Sequence, residues 1–247
     1  MTTYKTLLET LISECYTFKT FEEFIRFQGD KTIVLRHDVD LLPHNSLRFA
    51  QIQSNYGIKG TYYFRAVPES WDEDIILEIS SLGHEIGYHY ECLTTTGGDF
   101  EKGIQDFERN LENLRMLAPV STICMHGSPM SKYDSKDLWN KYRYQDYGII
   151  AEPYFDVDYD TVFYLTDTGR KWDGHKASVR DRVRTSSKKT YHTTNEIVEA
   201  IAIQSFPEKA MFTFHPQRWS DNMMLWGKEL VLQNVKNVVK KHFFVKA

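Results

Sequence analysis

Two aspartates separated by one residue, Asp38 and Asp40, stand just after a β-branched run at residues 31–36. Carboxylates with this spacing at a strand end can point towards one pocket. One of them can hold a divalent metal ion while the other accepts a proton from the water that the ion acidifies. The pair is therefore the first candidate for a catalytic site.

Other reactive side chains follow other predicted strands in the same way. The residues after segments 60–64, 84–88, 122–125, 147–151 and 210–214 are, in order, Arg65, His89 with Glu91, His126, Glu152 and His215. Imidazoles and carboxylates together suit zinc or a similar divalent ion, and a separate histidine can protonate a leaving group. Each residue alone also fits a structural role, as Asp40 before Pro43 fits a helix N-cap. Together they predict hydrolysis of an amide or ester.

Strands that alternate with helices must position these residues. Besides the segments above, residues 161–165 favour a strand, and the clearest helical spacing runs from Phe100 to Leu114. Ser70 with Glu73 and Thr193 with Glu196 have the spacing of capping boxes. A long final helix is predicted over 225–239. The alternation indicates a parallel sheet or α/β barrel, in which the strand ends share one face.

The chain is predicted to be a single domain, because it contains neither repeats nor a Pro/Gly/Ser-rich linker. Residues 1–30 favour two short amphipathic helices that form an extension packed on the barrel, and residues 31–247 form the barrel domain.

Composition narrows the function classes. A net charge of −4 and a pI near 6.1 give no electrostatic footprint for nucleic acid. The three cysteines share no CxxC spacing, which fits a reducing compartment. The chain has neither a signal-peptide pattern nor about 18 consecutive apolar residues, so the expected location is cytoplasmic, with no membrane span. The oligomeric state stays open.

Four motifs then resemble, in order, the NodB-homology polysaccharide deacetylases, the fourth carbohydrate esterase family. They occupy residues 37–40, 83–89, 126–129 and 212–216. The similarity runs from about residue 33 to residue 219 and is greatest to the divergent branch found with O-antigen and other surface-glycan genes. It implies an irregular seven-stranded (β/α) barrel and metal-dependent removal of acetyl groups from sugars.

The resemblance also implies residue roles. Asp38 takes the role of the base and Asp40 that of a metal ligand, although a register shift of one residue would make Asp38 the ligand. His89 matches the first metal histidine, but the second falls on Leu93. Either Glu91 or His126 replaces it, or the protein binds metal weakly; His126 is taken as the third ligand of a divalent ion, zinc by donor type. The fourth motif gives His215 the role of general acid.

Aromatic and basic residues complete the expected site, whose partner is a carbohydrate. Tyr90, Trp172 and Trp219 are expected to contact sugar rings, Trp172 by resemblance to the family's acetyl pocket. Arg36, with Arg65 and Arg218, is expected to bind a phosphate or uronate. The leading hypothesis is hydrolysis of an acetyl group from an N-acetylated sugar in a surface polysaccharide, glycan precursor or nucleotide sugar. The alternatives are a metal-independent amide hydrolase and a non-catalytic glycan-binding relative.

Overall fold

Seven parallel strands form one sheet in the computed structural model, which describes residues 1–128, 130–168, 172 and 183–219. Their bounds are β1 Thr17–Lys19, β2 Thr32–Val39, β3 Thr61–Phe64, β4 Glu85–Tyr90, β5 Ile123–Met125, β6 Phe163–Thr166 and β7 Lys209–Phe214. The predicted final helix over 225–239 lies outside the described residues, as does Pro129 of the third motif.

Helices connect the strands, as the alternation predicted. Their bounds are α1 Thr2–Ser13, α2 Phe21–Arg26, α3 Pro43–Asn55, α4 Glu73–Ser81, α5 Cys92–Thr95, α6 Phe100–Arg115, α7 Pro153–Asp156 and α8 Thr194–Ala202, with 3₁₀ turns at Ser135–Asn140, Tyr144–Tyr147 and Pro216–Arg218. Among the helices of the described part of the chain, none is long and apolar enough to cross a membrane.

The sheet runs in the order β5-β4-β3-β2-β7-β6, which leaves β5 and β6 at its ends. Within the described residues no ladder joins those two strands, so the sheet is an open half-barrel and not the closed barrel that the sequence predicted. A strand was predicted at 147–151, but Tyr147 ends a 3₁₀ turn there. Only Ala151 extends the sheet, through a single bridge to Thr122 beside β5.

The N-terminal segment contributes a strand as well as the two predicted helices. β1 pairs with Thr32–Val34 of β2, and β3 pairs with the later residues of the same strand from Arg36 onward. Because β7 occupies the other edge of β2, β1 and β3 follow one another along a single edge. The first 30 residues are therefore joined to the sheet by backbone hydrogen bonds.

Side chains alternate between the two faces of each strand, and this alternation decides which residues reach the site. Ile33, Leu35 and Val39 of β2 pack in the larger core beneath the helices, whereas Val34 packs in a smaller core with Tyr63 of β3. Arg36 and Asp38 share the face of Val34. They therefore lie inside the half-barrel, at the carboxyl end of its central strand.

One predicted capping pair has a different role in the structure. The N-cap of α4 is Asp72, whose side chain accepts from the backbone N–H of Ile75. Ser70 instead accepts from the backbone N–H of Arg65 and donates to the carbonyl of Val39. Ser70 thus connects the ends of β2 and β3. The other predicted cap, Thr193 at the start of α8, is present.

Candidate active site

The candidate active site lies at the carboxyl ends of the parallel strands. Five groups converge there, and they are Asp38, Asp40, His89, His126 and His215. They come from β2 or the residues after it, from β4, and from the residues after β5 and β7. The structure therefore brings together all the residues to which the sequence assigned a catalytic or metal-binding role.

Asp40 is at the centre of this group. Its Oδ1 lies 3.7 Å from Nε2 of His89 and 3.4 Å from Nε2 of His126, and its Oδ2 lies 3.9 Å from Nε2 of His215. Oδ2 also accepts a hydrogen bond from Gln217 at 3.0 Å. Oδ1 is buried without a hydrogen-bond partner among the described residues. Burial opposes ionisation, but the positive charge that His126, His215 and His89 carry when protonated outweighs it and lowers the pKa of Asp40.

In His89 and His126, the other ring nitrogen, Nδ1, faces an acceptor. Nδ1 of His89 lies 2.9 Å from the carbonyl of Cys124, and Nδ1 of His126 lies 2.9 Å from the carboxylate of Glu91. A proton on Nδ1 satisfies both contacts and leaves the Nε2 lone pairs directed at Asp40. Burial, with a smaller contribution from His126, also keeps the pKa of His89 well below its ordinary value.

A divalent cation fits this arrangement. Nε2 of His89 and of His126 both face the unpartnered Oδ1 of Asp40, and acceptors placed in this way repel unless a proton or a metal cation lies between them. Among the described residues, Asp38, His89 and Cys124 form the group whose possible ligand atoms all lie within 4.8 Å of one another. We favour the set around Asp40, because both oxygens of Asp38 already accept hydrogen bonds from a guanidinium.

That guanidinium belongs to Arg36, and the pair is buried. Nε and Nη2 of Arg36 lie 2.8 and 2.6 Å from the two carboxylate oxygens of Asp38, and the side chains are 1% and 4% exposed. Burial opposes the charge on Arg36, but Asp38 outweighs it and raises the pKa of Arg36 well above its ordinary value. Arg36 therefore holds the Asp38 side chain in place through two hydrogen bonds; the sequence had assigned it to substrate.

His215 has its own carboxylate partner. Nδ1 of His215 lies 2.6 Å from Oδ1 of Asp167, which also accepts from Arg218 at 2.9 Å, and Trp219 donates to Oδ2 at 2.7 Å. Burial and Arg218 oppose protonation, but Asp167 outweighs them and raises the pKa of His215. Asp167 was not predicted, although it follows β6 as the other site residues follow their strands. Trp219, predicted to stack on a sugar, holds Asp167 through its indole N–H.

Glu91 holds His126 in place. Its Oε2 lies 2.9 Å from Nδ1 of His126 and 3.0 Å from Oγ of Ser128, and its Oε1 accepts twice from Arg65. Burial opposes ionisation, but His126 and Arg65 outweigh it and lower the pKa of Glu91 to about 2. Because both oxygens are engaged, Glu91 acts as a positioning residue. His126 is the better candidate for the missing ligand.

Two residues predicted to bind substrate do not reach the site. Tyr90 is fully buried, accepts a hydrogen bond from Trp139 and packs against Phe107 of α6. Trp172 is 6% exposed and packs edge-on against Phe212 and other rings of the core. Packing roles replace the sugar contacts expected for both.

Leu93 and Glu152 also have structural roles. Leu93 lies in α5 and is buried against Gly103 of α6, where a Cβ on the glycine would stand 2.9 Å from the leucine side chain. Glu152 caps α7 by accepting from Tyr154 N–H, and it also accepts from Met125 N–H. Neither residue is among those that converge around Asp40.

No family model matches the chain. The solved structures to which it is similar are family 4 carbohydrate esterases, the family that its motifs resemble. One from Streptococcus mutans has 12% identity and a TM-score of 0.47, with 90% of this chain and 88% of the other covered. One from Bacillus subtilis has 13% identity and a TM-score of 0.45, with coverages of 93% and 83%.

A third similar structure is a family 4 pseudoenzyme from Bacillus anthracis, with 13% identity and a TM-score of 0.45. The alignment covers 84% of this chain and 61% of the pseudoenzyme, so the chain spans less than two thirds of that protein's length. At this identity and with TM-scores below 0.5, these structural matches add no evidence for a function.

Proposed function

We propose that this chain is a hydrolase that uses a divalent metal ion, zinc by donor type, to remove an acetyl group from an N-acetylated sugar. The substrate is a surface polysaccharide, a glycan precursor or a nucleotide sugar. The observation that carries the proposal is the unpartnered Oδ1 of Asp40, faced by Nε2 of His89 and of His126. The sugar is proposed from the motif resemblance, and amide hydrolysis from the side chains around Asp40.

Asp40, His89 and His126 would hold the ion. When bound, such an ion polarises a carbonyl oxygen and lowers the pKa of water towards about 7. The contacts of His89 with Cys124 and of His126 with Glu91 fix the tautomer in which Nε2 can ligate.

Asp38 is proposed as the general base. Its Oδ2 lies 3.7 Å from Nε2 of His89, so the carboxylate is beside the proposed metal ligands. Arg36 fixes its orientation through two hydrogen bonds. A carboxylate in this state can accept a proton from the attacking water.

His215 is proposed as the general acid. Asp167 accepts a hydrogen bond from Nδ1 of His215, which leaves Nε2 directed towards Oδ2 of Asp40. The other oxygen, Oδ1, is the one that faces His89 and His126. From this position His215 can donate a proton to the departing amine, while Asp167 stabilises the imidazolium before the transfer.

Elemental analysis combined with an acetate-release assay on N-acetylated chitooligosaccharides tests the proposal. Protein purified with zinc should contain the metal and release acetate, and His126→Ala should lose both. His44→Ala, an exposed histidine on α3, is the matched control. A protein that stays free of metal after zinc is added overturns the metal-dependent mechanism. Acetate release that is insensitive to chelators would show metal-independent hydrolysis, and binding without release a non-catalytic relative.

A further inference from the structure

A cavity of about 460 Å³ lies beside the candidate active site. Its walls come from the residues after β3, β4 and β5, and they include Arg65, Glu91, Thr94, His126, Lys132 and Tyr133. His126 belongs both to this wall and to the group around Asp40. A ligand in the cavity therefore contacts the edge of the site, and the volume is within the range of roughly 300–1,000 Å³ that small-molecule sites occupy.

The cavity wall also carries an exposed cation, Lys132. The three arginines expected to bind an anionic substrate all contact carboxylates: Arg36 binds Asp38, Arg65 binds Glu91, and Arg218 binds Asp167. Lys132, by contrast, has no carboxylate within ion-pair distance among the residues that the structure describes. Its ammonium group stands 5.1 Å from the centre of the Tyr133 ring.

One residue of the cavity wall, Thr94, carries an unsatisfied hydroxyl group. Oγ1 of Thr94 is buried and has no hydrogen-bond partner in the described part of the chain. Leaving a buried hydroxyl unpaired costs free energy, which a ligand hydroxyl would recover. The neighbouring Thr95 differs, because its hydroxyl bonds to the carbonyl of Cys92 and to Asp106.

Tyr133 gives the cavity a fixed aromatic wall. Its ring packs directly on Gly98, where a Cβ would stand 2.2 Å from the ring and where φ is +86°. Only glycine allows this close approach in this backbone conformation. The ring is thereby held at the cavity wall, whereas Tyr90 and Trp172 are in the core. A flat ring beside hydroxyl and ammonium groups suits the apolar face of a pyranose.

We propose that this cavity binds the sugar unit next to the one that is deacetylated, and that this neighbouring sugar carries an anionic group. The inference rests on the proposed function for the identity of the reacting unit. Lys132 binds the anion, and Tyr133 packs on the ring. Thr94 forms a hydrogen bond with a ring hydroxyl. The anion is a carboxylate or a phosphate, since Lys132 binds either as a point charge.

Backbone amide NMR titration of the full-length protein tests this inference without any turnover. The probes are glucuronic acid, glucose 1-phosphate and neutral glucose, none of which carries an acetyl group. Both acidic sugars should shift the amide signals at 94–98 and 131–133 more strongly than glucose does, and the tighter of the two identifies the anion. Lys132→Met should weaken acidic-sugar binding by about tenfold or more, with Lys102→Met of α6 as the control.

Thr94→Val separates recognition from structure. The hydroxyl has no partner among the described residues, so the variant should unfold at the wild-type temperature or above it, while sugar binding weakens by about two- to tenfold. Acidic sugars that bind no better than glucose, or wild-type affinity in Lys132→Met and Thr94→Val, overturn the inference. The probes are not substrates, so their binding is measured independently of turnover. A lack of deacetylase activity would refute the proposed function, but the binding titration would still test this inference.

Discussion

Asp38→Asn is the substitution that most directly tests the site, because Asp38 carries both a proposed catalytic role and a buried charge. Asn has nearly the same shape and keeps one acceptor oxygen for Arg36, but it removes the negative charge. In the wild type, Arg36 donates to both carboxylate oxygens, and the two side chains are 1% and 4% exposed. The variant therefore leaves a buried guanidinium without its counter-charge.

Breaking a buried ion pair by removing one partner costs about 3–5 kcal/mol of unfolding free energy. Since Asn retains one hydrogen bond to Arg36, we expect the lower end of that range, about 3 kcal/mol. Loss of the base should lower the rate of acetate release by about 10²- to 10⁴-fold. Zinc content should stay at the wild-type level, because Asp38 is not among the three proposed ligands.

Urea unfolding gives the first quantity, and acetate release and elemental analysis give the other two, all at a temperature where the variant is folded. Asp74→Asn, an exposed aspartate of α4, is the matched control for the loss of one charge. Adding Arg36→Met to Asp38→Asn should recover part of the stability and none of the activity, because the unpaired charge is gone while the base is still missing.

Two results would refute the reasoning. An unfolding free energy within about 1 kcal/mol of the wild type would mean that the buried positive charge of Arg36 does not depend on the negative charge of Asp38. Unchanged acetate release would remove Asp38 as the base. Zinc lost together with activity would instead favour the alternative register, in which Asp38 is the ligand and not Asp40.

Two further predictions concern positioning and pH. Glu91→Gln should weaken zinc affinity by about 10- to 100-fold, because it alters the acceptor that fixes the tautomer of His126; competition with a chelator of known affinity measures this, and wild-type affinity would contradict it. Burial lowers the pKa of His37 to about 3. Below pH 6.5 the unfolded state therefore binds more protons than the folded state, and the free energy of unfolding decreases as the pH is lowered. Between pH 7 and 5 this residue should cost about 2 kcal/mol, and urea unfolding of His37→Phe should show a shallower pH dependence; an unchanged slope would contradict the assignment.

Strand length explains where the sequence predicted the site well and where it did not. The sequence placed the end of β4 at Tyr88, which made Tyr90 appear to be a loop residue. The strand continues to Tyr90, so alternation directs His89 inward and Tyr88 and Tyr90 outward beneath α6. β2 likewise extends to Val39, which places Arg36 and Asp38 on the same face. Strand ends are difficult to predict to within one residue. The sequence therefore did not predict on which face of the sheet the last residues of these strands lie.

Asp167 shows the other kind of omission. The rule that reactive residues follow strands was sufficient to find it, since it comes directly after β6. Its importance depends on a long-range contact with His215, 48 positions later in the chain. No local pattern contains that pairing, because β6 and β7 become neighbours only in the sheet. Closure of the barrel is a similar case, since it depends on pairing between distant strands.

The departure at Leu93 has a structural counterpart in Glu91. The turn of α5 buries Leu93 against α6, so that position cannot ligate a metal ion near Asp40. Glu91, two residues earlier, joins Arg65 at the end of β3 to His126 after β5. Since β3, β4 and β5 are neighbours in the sheet, one carboxylate can position a histidine from the adjacent strand end. The proposed third ligand therefore depends on the order of the strands, and not on the four-residue spacing within one motif.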